Sequence, residues 1–207
     1  MKSGNEHWDA VFTSCEDGEL GWYEKDASRT LGLLEQVPDW RKSVIFLPGA
    51  GTSLLIEELM SQGAGLVLND ISGAALNRVR NRLPGKNGIV WLCQDISRPL
   101  QAALPAVGVW IDRAVLHFLN EEADIAGYFG NLRATLKAGG YAIFAEFATN
   151  GAEKCAGLPV HRYSVEELTR RLGPGFRLVS HFDYTYINPY GDPRPYIYAL
   201  YKKEEVL

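Results

Sequence analysis

The sequence predicts an α/β domain on a doubly wound, mostly parallel sheet of seven strands, with helices on both faces. Three observations predict this class. Short apolar runs alternate with longer amphipathic runs, a Gly-rich turn directly follows the first apolar run, and two β-rich runs joined by a turn-rich segment lie near the C-terminus. We therefore expect five parallel strands followed by an antiparallel hairpin.

The first part of the chain contains two β-turn-α units in succession. Residues Val44–Leu47 form a short apolar strand, the turn Pro48–Thr52 follows, and the segment 54–64 has apolar residues at helical spacing. The second unit has a strand over Leu66–Asp70 and a helix over Ser72–Leu83, for which Ser72 is the expected N-cap.

The middle of the chain continues this alternation. Residues Ile89–Cys93 and Val107–Ile111 are predicted as the third and fourth strands. The amphipathic segment Glu122–Lys137 is predicted as a helix closed by Gly139-Gly140, because glycine commonly ends helices. Residues Tyr141–Phe147 then supply the fifth strand.

The C-terminal part begins with the segment Ala148–Tyr163, which has no periodicity and is expected to be an ordered loop over the C-terminal edge of the sheet. A short helix over Ser164–Leu172 follows, with Ser164 and Glu167 spaced as a capping box. The strands of the expected edge hairpin are Arg177–Tyr186 and Tyr196–Lys202.

We expect one domain over 1–207. It comprises an N-terminal helical or lid segment (1–40), a ligand-binding core (41–147), an active-site loop (148–163), and a final helix with its hairpin (164–207). The chain has 207 residues, of which 46% are hydrophobic, so it can bury a packed core.

Composition also bears on partners and location. The net charge is -4 and Lys and Arg are dispersed, which argues against nucleic-acid binding. The cysteines Cys15, Cys93 and Cys155 show neither a disulfide framework nor a metal-ligand spacing, so we expect no metal and a cytoplasmic location. The N-terminus has no apolar signal region, and no long apolar run predicts a membrane span.

The Gly-rich turn is the most informative segment for function. Gly49-Ala50-Gly51 brings bare backbone to the carboxyl edge of the sheet, where a ligand can approach the main chain. The alternative is a tight strand-to-helix turn without a ligand.

Two acids end the next strands. Asp70 lies 19 residues after Gly51, where doubly wound folds place a carboxylate that binds a ribose diol; the alternative is a helix-capping acid. Asp95 ends the third strand, where it can accept a hydrogen bond from an adenine amino group.

Two nucleotide fingerprints are not matched. Leu54 stands where a dinucleotide fingerprint requires its third glycine, which disfavours a dehydrogenase, and no Lys-Ser/Thr follows the turn as a P-loop requires. The remaining candidate is a nucleoside ligand without a pyrophosphate, such as S-adenosylmethionine.

The ordered motifs resemble those of the class I S-adenosylmethionine-dependent methyltransferases, a family with a Rossmann-like fold. The motifs are Gly49-Ala50-Gly51-Thr52, Leu68-Asn69-Asp70-Ile71-Ser72, Gln94-Asp95-Ile96 and Trp110-Ile111-Asp112-Arg113-Ala114. The blocks ELGWYEKDASRTLGLLE, DRAVLHFL and GAEKCAGLPVHRYSVEEL resemble a bacterial subgroup akin to thiopurine-type and small protein-lysine methyltransferases.

The resemblance implies S-adenosylmethionine as cofactor and S-adenosylhomocysteine as product. The residues that it implies for cofactor binding are Pro48, Gly49, Ala50, Gly51, Thr52, Asp70, Ile71, Asp95, Ile96, Asp112 and Arg113. Trp22 is added as an aromatic lid over the sulfonium, with ordinary packing as the alternative. The family usually has an acid before the Gly turn; this chain has Leu47-Pro48, and a Pro there is similar to the thiopurine-type enzymes.

Four residues are catalytic candidates. His117 and Glu146 are placed to take a proton from the acceptor; their alternatives are a packing residue and an acid paired with a nearby Arg. Arg162 and Tyr163 lie in the loop after the fifth strand, where Arg162 either binds an anionic substrate or fastens the loop.

The expected function is methyl transfer to a small-molecule acceptor of anionic or thiol-bearing character, which enters between the N-terminal segment and the loop 148–163. The alternatives are a protein lysine acceptor and a non-catalytic nucleoside-binding module. We expect a monomer or a weak homodimer, with no nucleic-acid or membrane partner.

Overall fold

A computed structural model of the protein describes residues 4–205 except 84, 86 and 102. Its main sheet has seven strands in the order β3-β2-β1-β4-β5-β9-β8. Strands β1 to β5 are parallel, and β9 and β8 complete the sheet as an antiparallel hairpin, as predicted. The strands are β1 Val44–Leu47, β2 Gly65–Asp70, β3 Ile89–Cys93, β4 Val107–Arg113, β5 Leu136–Phe147, β8 Phe176–Ile187 and β9 Pro193–Lys203.

Helices cover both faces of the sheet. They are α1 Asn5–Ser14, α2 Ser28–Leu34, α3 Leu55–Ser61, α4 Gly73–Arg82, α5 Glu122–Thr135 and α6 Val165–Leu172. Because side chains alternate along a strand, Ile45 and Leu47 pack in one core layer with α2, α3 and α4, and Phe46 packs in the other with α5 and α6. No helix in the described part of the chain is long and apolar enough to cross a membrane.

The expected glycine stop after α5 is wrong. The helix ends at Thr135, and Gly139 and Gly140 lie inside β5. The pairing of β4 with β5 shifts there, and Gly139 has φ +71°, which disfavours a side chain. A Cβ on Gly140 would lie 3.0 Å from the carbonyl oxygen of Gly108. The glycines therefore allow a bulge near the start of β5, where pairing with β4 begins directly after the helix ends.

The loop between β5 and α6 has structure of its own. It contains the small hairpin of β6 (Lys154–Cys155) and β7 (Leu158–Pro159). One of the two contacts expected of the capping box of α6 is formed: the Ser164 hydroxyl accepts from the Glu167 N–H at 3.2 Å. The Glu167 carboxylate contacts His161 and Arg171 instead of the Ser164 backbone.

The N-terminal segment lies over the carboxyl edge of the sheet. Helix α1 packs on α4, and Trp8 and Phe12 form a separate apolar cluster with Leu20, Ala75 and Leu158. The segment Leu20–Glu24 then crosses the mouth of the sheet before α2 returns to its side. We call residues 4–24 the roof.

Candidate active site

A cavity of about 460 Å³ lies between the roof and the carboxyl ends of β1, β2 and β4. Most residues predicted to bind the cofactor line it: Pro48, Gly49, Ala50, Gly51, Thr52, Asp70, Ile71, Asp95, Ile96, Arg113 and Trp22. The roof contributes Trp8, Phe12, Leu20, Tyr23 and Glu24 to the same wall. The cavity therefore brings the Gly turn, two strand-end acids and an aromatic roof together.

The Gly turn requires its glycines for backbone and packing reasons. Gly49 has φ +49° and Gly51 has φ +52°, a region that side chains rarely adopt. A Cβ on Gly49 would also lie 2.3 Å from the Val115 side chain. The turn is held from β2, since the Ala50 N–H donates to the Asn69 carbonyl oxygen at 2.8 Å.

Asp70 faces the cavity and caps backbone groups at the same time. Its Oδ2 accepts from the Gly51 N–H and its Oδ1 from the Ser72 N–H, both at 2.8 Å. Burial raises its pKa to about 6. Each carboxylate oxygen has a further lone pair, so both interpretations of Asp70 fit: it orders the turn and remains an acceptor toward the cavity.

Asp95 lies at the next strand end, beside two apolar side chains. Its Oδ1 accepts from the N–H and the hydroxyl of Ser97 at 2.8 and 2.7 Å, which leaves Oδ2 toward Arg98 at 3.8 Å. Ile71 and Ile96 line the cavity there. This part of the wall combines apolar surface with a polar acceptor, which suits a purine.

Asp112 is not part of the cavity wall in this structure. It is fully buried, and its carboxylate accepts from the N–H groups of Val115 and Leu116 at 3.1 and 3.2 Å and from the Tyr128 hydroxyl at 2.6 Å. Arg113, the next residue along β4, lines the cavity. Alternation along the strand gives the two residues opposite directions.

His117 and Glu146 form a second buried contact behind the wall. The His117 Nδ1 lies 2.8 Å from the Glu146 Oε2, and neither side chain is exposed. Burial lowers the pKa of His117 to about 3 and raises the pKa of Glu146 to about 8. Burial and the Glu146 charge raise the pKa of Asp112 well above its usual value.

These three residues do not reach the cavity; they hold the turn that forms its wall. Residues 114–118 follow β4, and Ala114, Val115 and Phe118 line the cavity. The buried carboxylates of Asp112 and Glu146 fix the backbone N–H groups of this turn. The structure thus supports positioning roles for His117 and Glu146 over the proton-accepting roles expected from the sequence.

The geometry is matched by a known family. Residues 47–144 match the family model described as a methyltransferase domain. These residues form a methyltransferase domain of the class I S-adenosylmethionine-dependent type. The matched range runs from the end of β1 into β5 and so includes the Gly turn, Asp70, Asp95 and Asp112. S-adenosylmethionine is the cofactor of this methyltransferase.

Solved structures show the same fold at low sequence identity. The N-methyltransferase NodS from Bradyrhizobium japonicum, in complex with S-adenosylhomocysteine, is 15% identical, with a TM-score of 0.73 over 96% of this chain and 100% of that chain. The Burkholderia thailandensis 1,6-didemethyltoxoflavin-N1-methyltransferase, with its acceptor and S-adenosylhomocysteine bound, is 16% identical, with a TM-score of 0.72 over 99% of this chain and 92% of that chain. No curated protein matches the chain significantly.

The loop after β5 contributes little to the methyltransferase cavity. Only Pro159 of the range 148–163 lines it in the described structure. Arg162 contacts the Gly151 carbonyl at 3.5 Å and the Glu153 carboxylate at 3.7 Å, which fastens the loop on itself. Tyr163 is fully buried and pairs with β5 through its N–H and the Phe147 carbonyl.

The sequence places the acceptor's entry between the N-terminal segment and the loop 148–163. In the structure, Cys155, Arg162 and Tyr163 of this loop do not line the cavity, because the loop folds into its own hairpin and docks on β5. Burial raises the pKa of the Cys155 thiol to about 11, which makes a reactive thiolate unfavourable.

Several polar contacts that hold the roof were missed by the sequence analysis. The Asp9 carboxylate accepts from the Ser72 hydroxyl at 2.6 Å and from the Ala74 N–H at 3.1 Å, at the N-terminus of α4.

Two arginines of α4 add further contacts. Arg78 donates to the carbonyl oxygens of Phe12 and Cys15 at 2.7 and 2.8 Å. Arg82, one turn further along α4, donates to the Thr52 carbonyl at 2.9 Å and so joins the helix to the Gly turn. The spacing of Arg78 and Arg82 was the available signal for a shared face.

The other side of the roof is held by the C-terminal hairpin. The hydroxyls of Tyr186 and Tyr190 donate to the carbonyl oxygens of Tyr23 and Glu19. No sequence pattern indicates these contacts, because the partners are more than 160 residues apart.

Proposed function

We propose that this methyltransferase acts on a small-molecule acceptor that is held beneath the roof. The observation that carries the proposal is the covered cavity: α1 and the segment Leu20–Glu24 lie over the Gly turn and leave a space of about 460 Å³. A space of that size is typical of a site for small ligands. A protein side chain would need an open groove at this edge.

The residues of the wall fit the cofactor. With the cofactor bound, Asp70 would accept from the ribose hydroxyls and Asp95 from the adenine amino group, and Ile71 and Ile96 would supply apolar surface for the adenine. When bound, S-adenosylmethionine supplies an electrophilic methyl group on its sulfonium.

The wall also bears on the charge of the acceptor. Arg113 is the one cationic side chain among the described lining residues, so the wall offers no second cation for an anionic acceptor. Arg162, the expected anchor for an anion, lies outside the lining. Trp8, Phe12 and Trp22 pack edge to face in the roof, with ring centroids 5.6 and 6.0 Å apart for the Trp8–Trp22 and Phe12–Trp22 pairs. We therefore disfavour an anionic acceptor and favour one with aromatic or apolar surface.

The chain contributes to transfer by orientation and exclusion of water. Methyl transfer from a sulfonium is an in-line displacement, for which near-attack geometry and a dry site supply much of the rate enhancement. Contacts on both sides of the roof hold it in the covering position. The described wall has carboxylates but no His, Lys or Cys.

Binding is the first test of the proposal. Calorimetric titration is expected to show saturable binding of S-adenosylmethionine and S-adenosylhomocysteine and none of NAD. Absence of binding by the first two would contradict the cofactor assignment and favour a non-catalytic module.

The acceptor class is tested with S-adenosylmethionine that carries a labelled methyl group, incubated with fractionated cell extract. Label is expected in the small-molecule fraction, and it should require the methyltransferase. Label confined to protein would overturn the proposal in favour of a protein-lysine acceptor.

A further inference from the structure

The roof and the end of β4 meet in an ion pair inside the cavity wall. The Arg113 Nε lies 2.9 Å from the Glu24 Oε2, and the side chains are only 12% and 13% exposed. The Arg113 Nη1 also donates to the Trp22 carbonyl at 2.7 Å. Both Glu24 and Arg113 line the cavity.

This pair is incompletely satisfied. The Arg113 Nη2 is buried and makes no hydrogen bond of regular geometry in the described structure, and the Tyr198 hydroxyl lies beside both Arg113 and Glu24. The guanidinium otherwise faces the rings of Tyr186 and Tyr196, at 5.2 and 5.9 Å from their centroids. Because a buried ion pair is stable only when its remaining donors and acceptors are used, this arrangement points to a ligand that completes it.

The charges of the wall show where such a ligand group fits. The described lining residues with carboxylate or guanidinium side chains are Glu24, Asp70, Asp95, Arg113, Glu121 and Asp124. Opposite charges meet in the wall at Glu24 with Arg113. The amino-acid end of S-adenosylmethionine carries an ammonium and a carboxylate on one carbon, so it needs both charges close together.

We propose that Glu24 binds the ammonium group and Arg113 the carboxylate of the cofactor's amino-acid end. The inference rests on the proposed function, since it names how the same cavity holds one end of its cofactor.

Two further observations support this assignment. Burial raises the pKa of Glu24, with the Arg113 charge acting in the opposite direction, so a second cation beside this carboxylate would stabilise its ionised form. Glu24 also lies at the end of the roof. A cofactor bound to it would fasten the roof over the cavity in addition to the Tyr186 contact.

The test uses Glu24→Gln and three ligands that differ only at the amino-acid end. S-adenosylhomocysteine has both charged groups, its decarboxylated analogue S-adenosyl-3-thiopropylamine keeps the ammonium, and 5′-methylthioadenosine has neither. Glu24→Gln is expected to weaken binding of the first two by about 10- to 100-fold and of the third by less than about threefold. Calorimetry or competition binding measures all three.

Arg113→Lys separates the second contact. It keeps the charge beside Glu24 but loses the planar fork that matches a carboxylate. We expect it to weaken S-adenosylhomocysteine several-fold more than S-adenosyl-3-thiopropylamine, which lacks the carboxylate.

Tyr186→Phe is the control for an indirect effect through the roof, since it removes a roof contact without touching Glu24. It should weaken all three ligands by similar factors. Equal losses for all three ligands in Glu24→Gln, or no loss for S-adenosylhomocysteine, would overturn the inference. Failure of the wild-type protein to bind any of the three would instead contradict the proposed function.

Discussion

Asp70 and Asp112 are acids on the two strands that flank β1, and the structure gives them different surroundings. Asp70 ends β2, lines the cavity, and keeps acceptor capacity toward a ligand. Asp112 is the penultimate residue of β4 and directs its carboxylate into the core between the sheet and α5. An acid at a strand end is therefore a ligand candidate only if the alternation of side chains along the strand turns it toward the ligand.

The neighbours of each acid explain the difference. Trp110 lies two residues before Asp112 and therefore on the same side of β4, where its Nε1 donates to the Tyr128 hydroxyl at 2.8 Å. That hydroxyl in turn donates to Asp112. Asp70 is followed at once by the N-terminus of α4, so its carboxylate meets backbone N–H groups at the cavity edge.

The largest expected effect is the loss of stability when Asp112, the buried acid, is replaced. Asp112→Ala removes the acceptor of two backbone N–H groups and of the Tyr128 hydroxyl, so it should lower the free energy of unfolding by about 3–5 kcal/mol. Denaturant unfolding measures the change. Asp112→Asn, which keeps one acceptor oxygen, should lose less; equal losses would show that hydrogen bonding is not the cause.

The next largest effect is the loss of ligand affinity when Asp70, the acid that lines the cavity, is replaced. Asp70→Asn should weaken S-adenosylhomocysteine binding by about 1.5–3 kcal/mol, because a charged acceptor for the ribose hydroxyls becomes a neutral one. Wild-type affinity should also fall as the pH drops below about 6, where Asp70 becomes protonated. Calorimetry at several pH values checks both. The matched variant Asp112→Asn should weaken binding by the folded protein less than Asp70→Asn does, because Asp112 acts on the cavity only through the turn that it holds. A similar loss in both variants would remove the distinction between the two acids.

The buried cluster should also set a pH dependence of stability. The pKa of Glu146 rises on folding from 4.5 to about 8, so the folded protein holds this proton more tightly, and the resulting stability is lost as the pH rises through about 8. The free energy of unfolding should therefore fall from about pH 4.5 up to about pH 8, by at most about 1.4 kcal/mol per unit, and level off above pH 8. Below about pH 6.5 His117 acts in the opposite direction, because its pKa is lowered on folding, so the fall is best measured between about pH 7 and 8.

Glu146→Gln is the control for this pH dependence and should reduce the slope. The buried Asp112, whose pKa is also raised, contributes in the same direction, so part of the slope should remain. His117 does not interfere above about pH 7, because its pKa is lowered to about 3 and it is neutral in both states there. An unchanged slope in Glu146→Gln would assign the pH dependence to other groups.

The smallest effect is expected at Arg162. Its contacts are to the half-exposed loop, with distances of 3.5 and 3.7 Å, so Arg162→Ala should change stability by less than about 0.5 kcal/mol and leave S-adenosylhomocysteine affinity unchanged. Thermal unfolding and calorimetry test this. A large loss of methyl transfer with normal cofactor binding would return Arg162 to the catalytic residues.

Most of the fold was predictable because its signals are local. The strand Ile89–Cys93 and the N-cap Ser72 follow from apolar runs and short-range hydrogen bonding, and both are confirmed. The end of α5 was not predictable, since Gly139-Gly140 fit a helix stop as well as a strand bulge. The pairing of β5 with β4, which is a long-range contact, decides between them.

The candidate site likewise has features that local sequence predicts and features that depend on long-range contacts. Neighbouring residues are enough to predict the seven strands along the chain, the Gly turn and the strand-end acids, because periodicity and turn chemistry are local properties. Tertiary contacts place Asp112, His117 and Glu146 in the core, fasten the loop through Arg162, and bring Glu24 to Arg113 in the cavity wall. Those outcomes depend on which face of a strand is covered and on contacts between distant segments, and such contacts leave no periodic trace in the sequence.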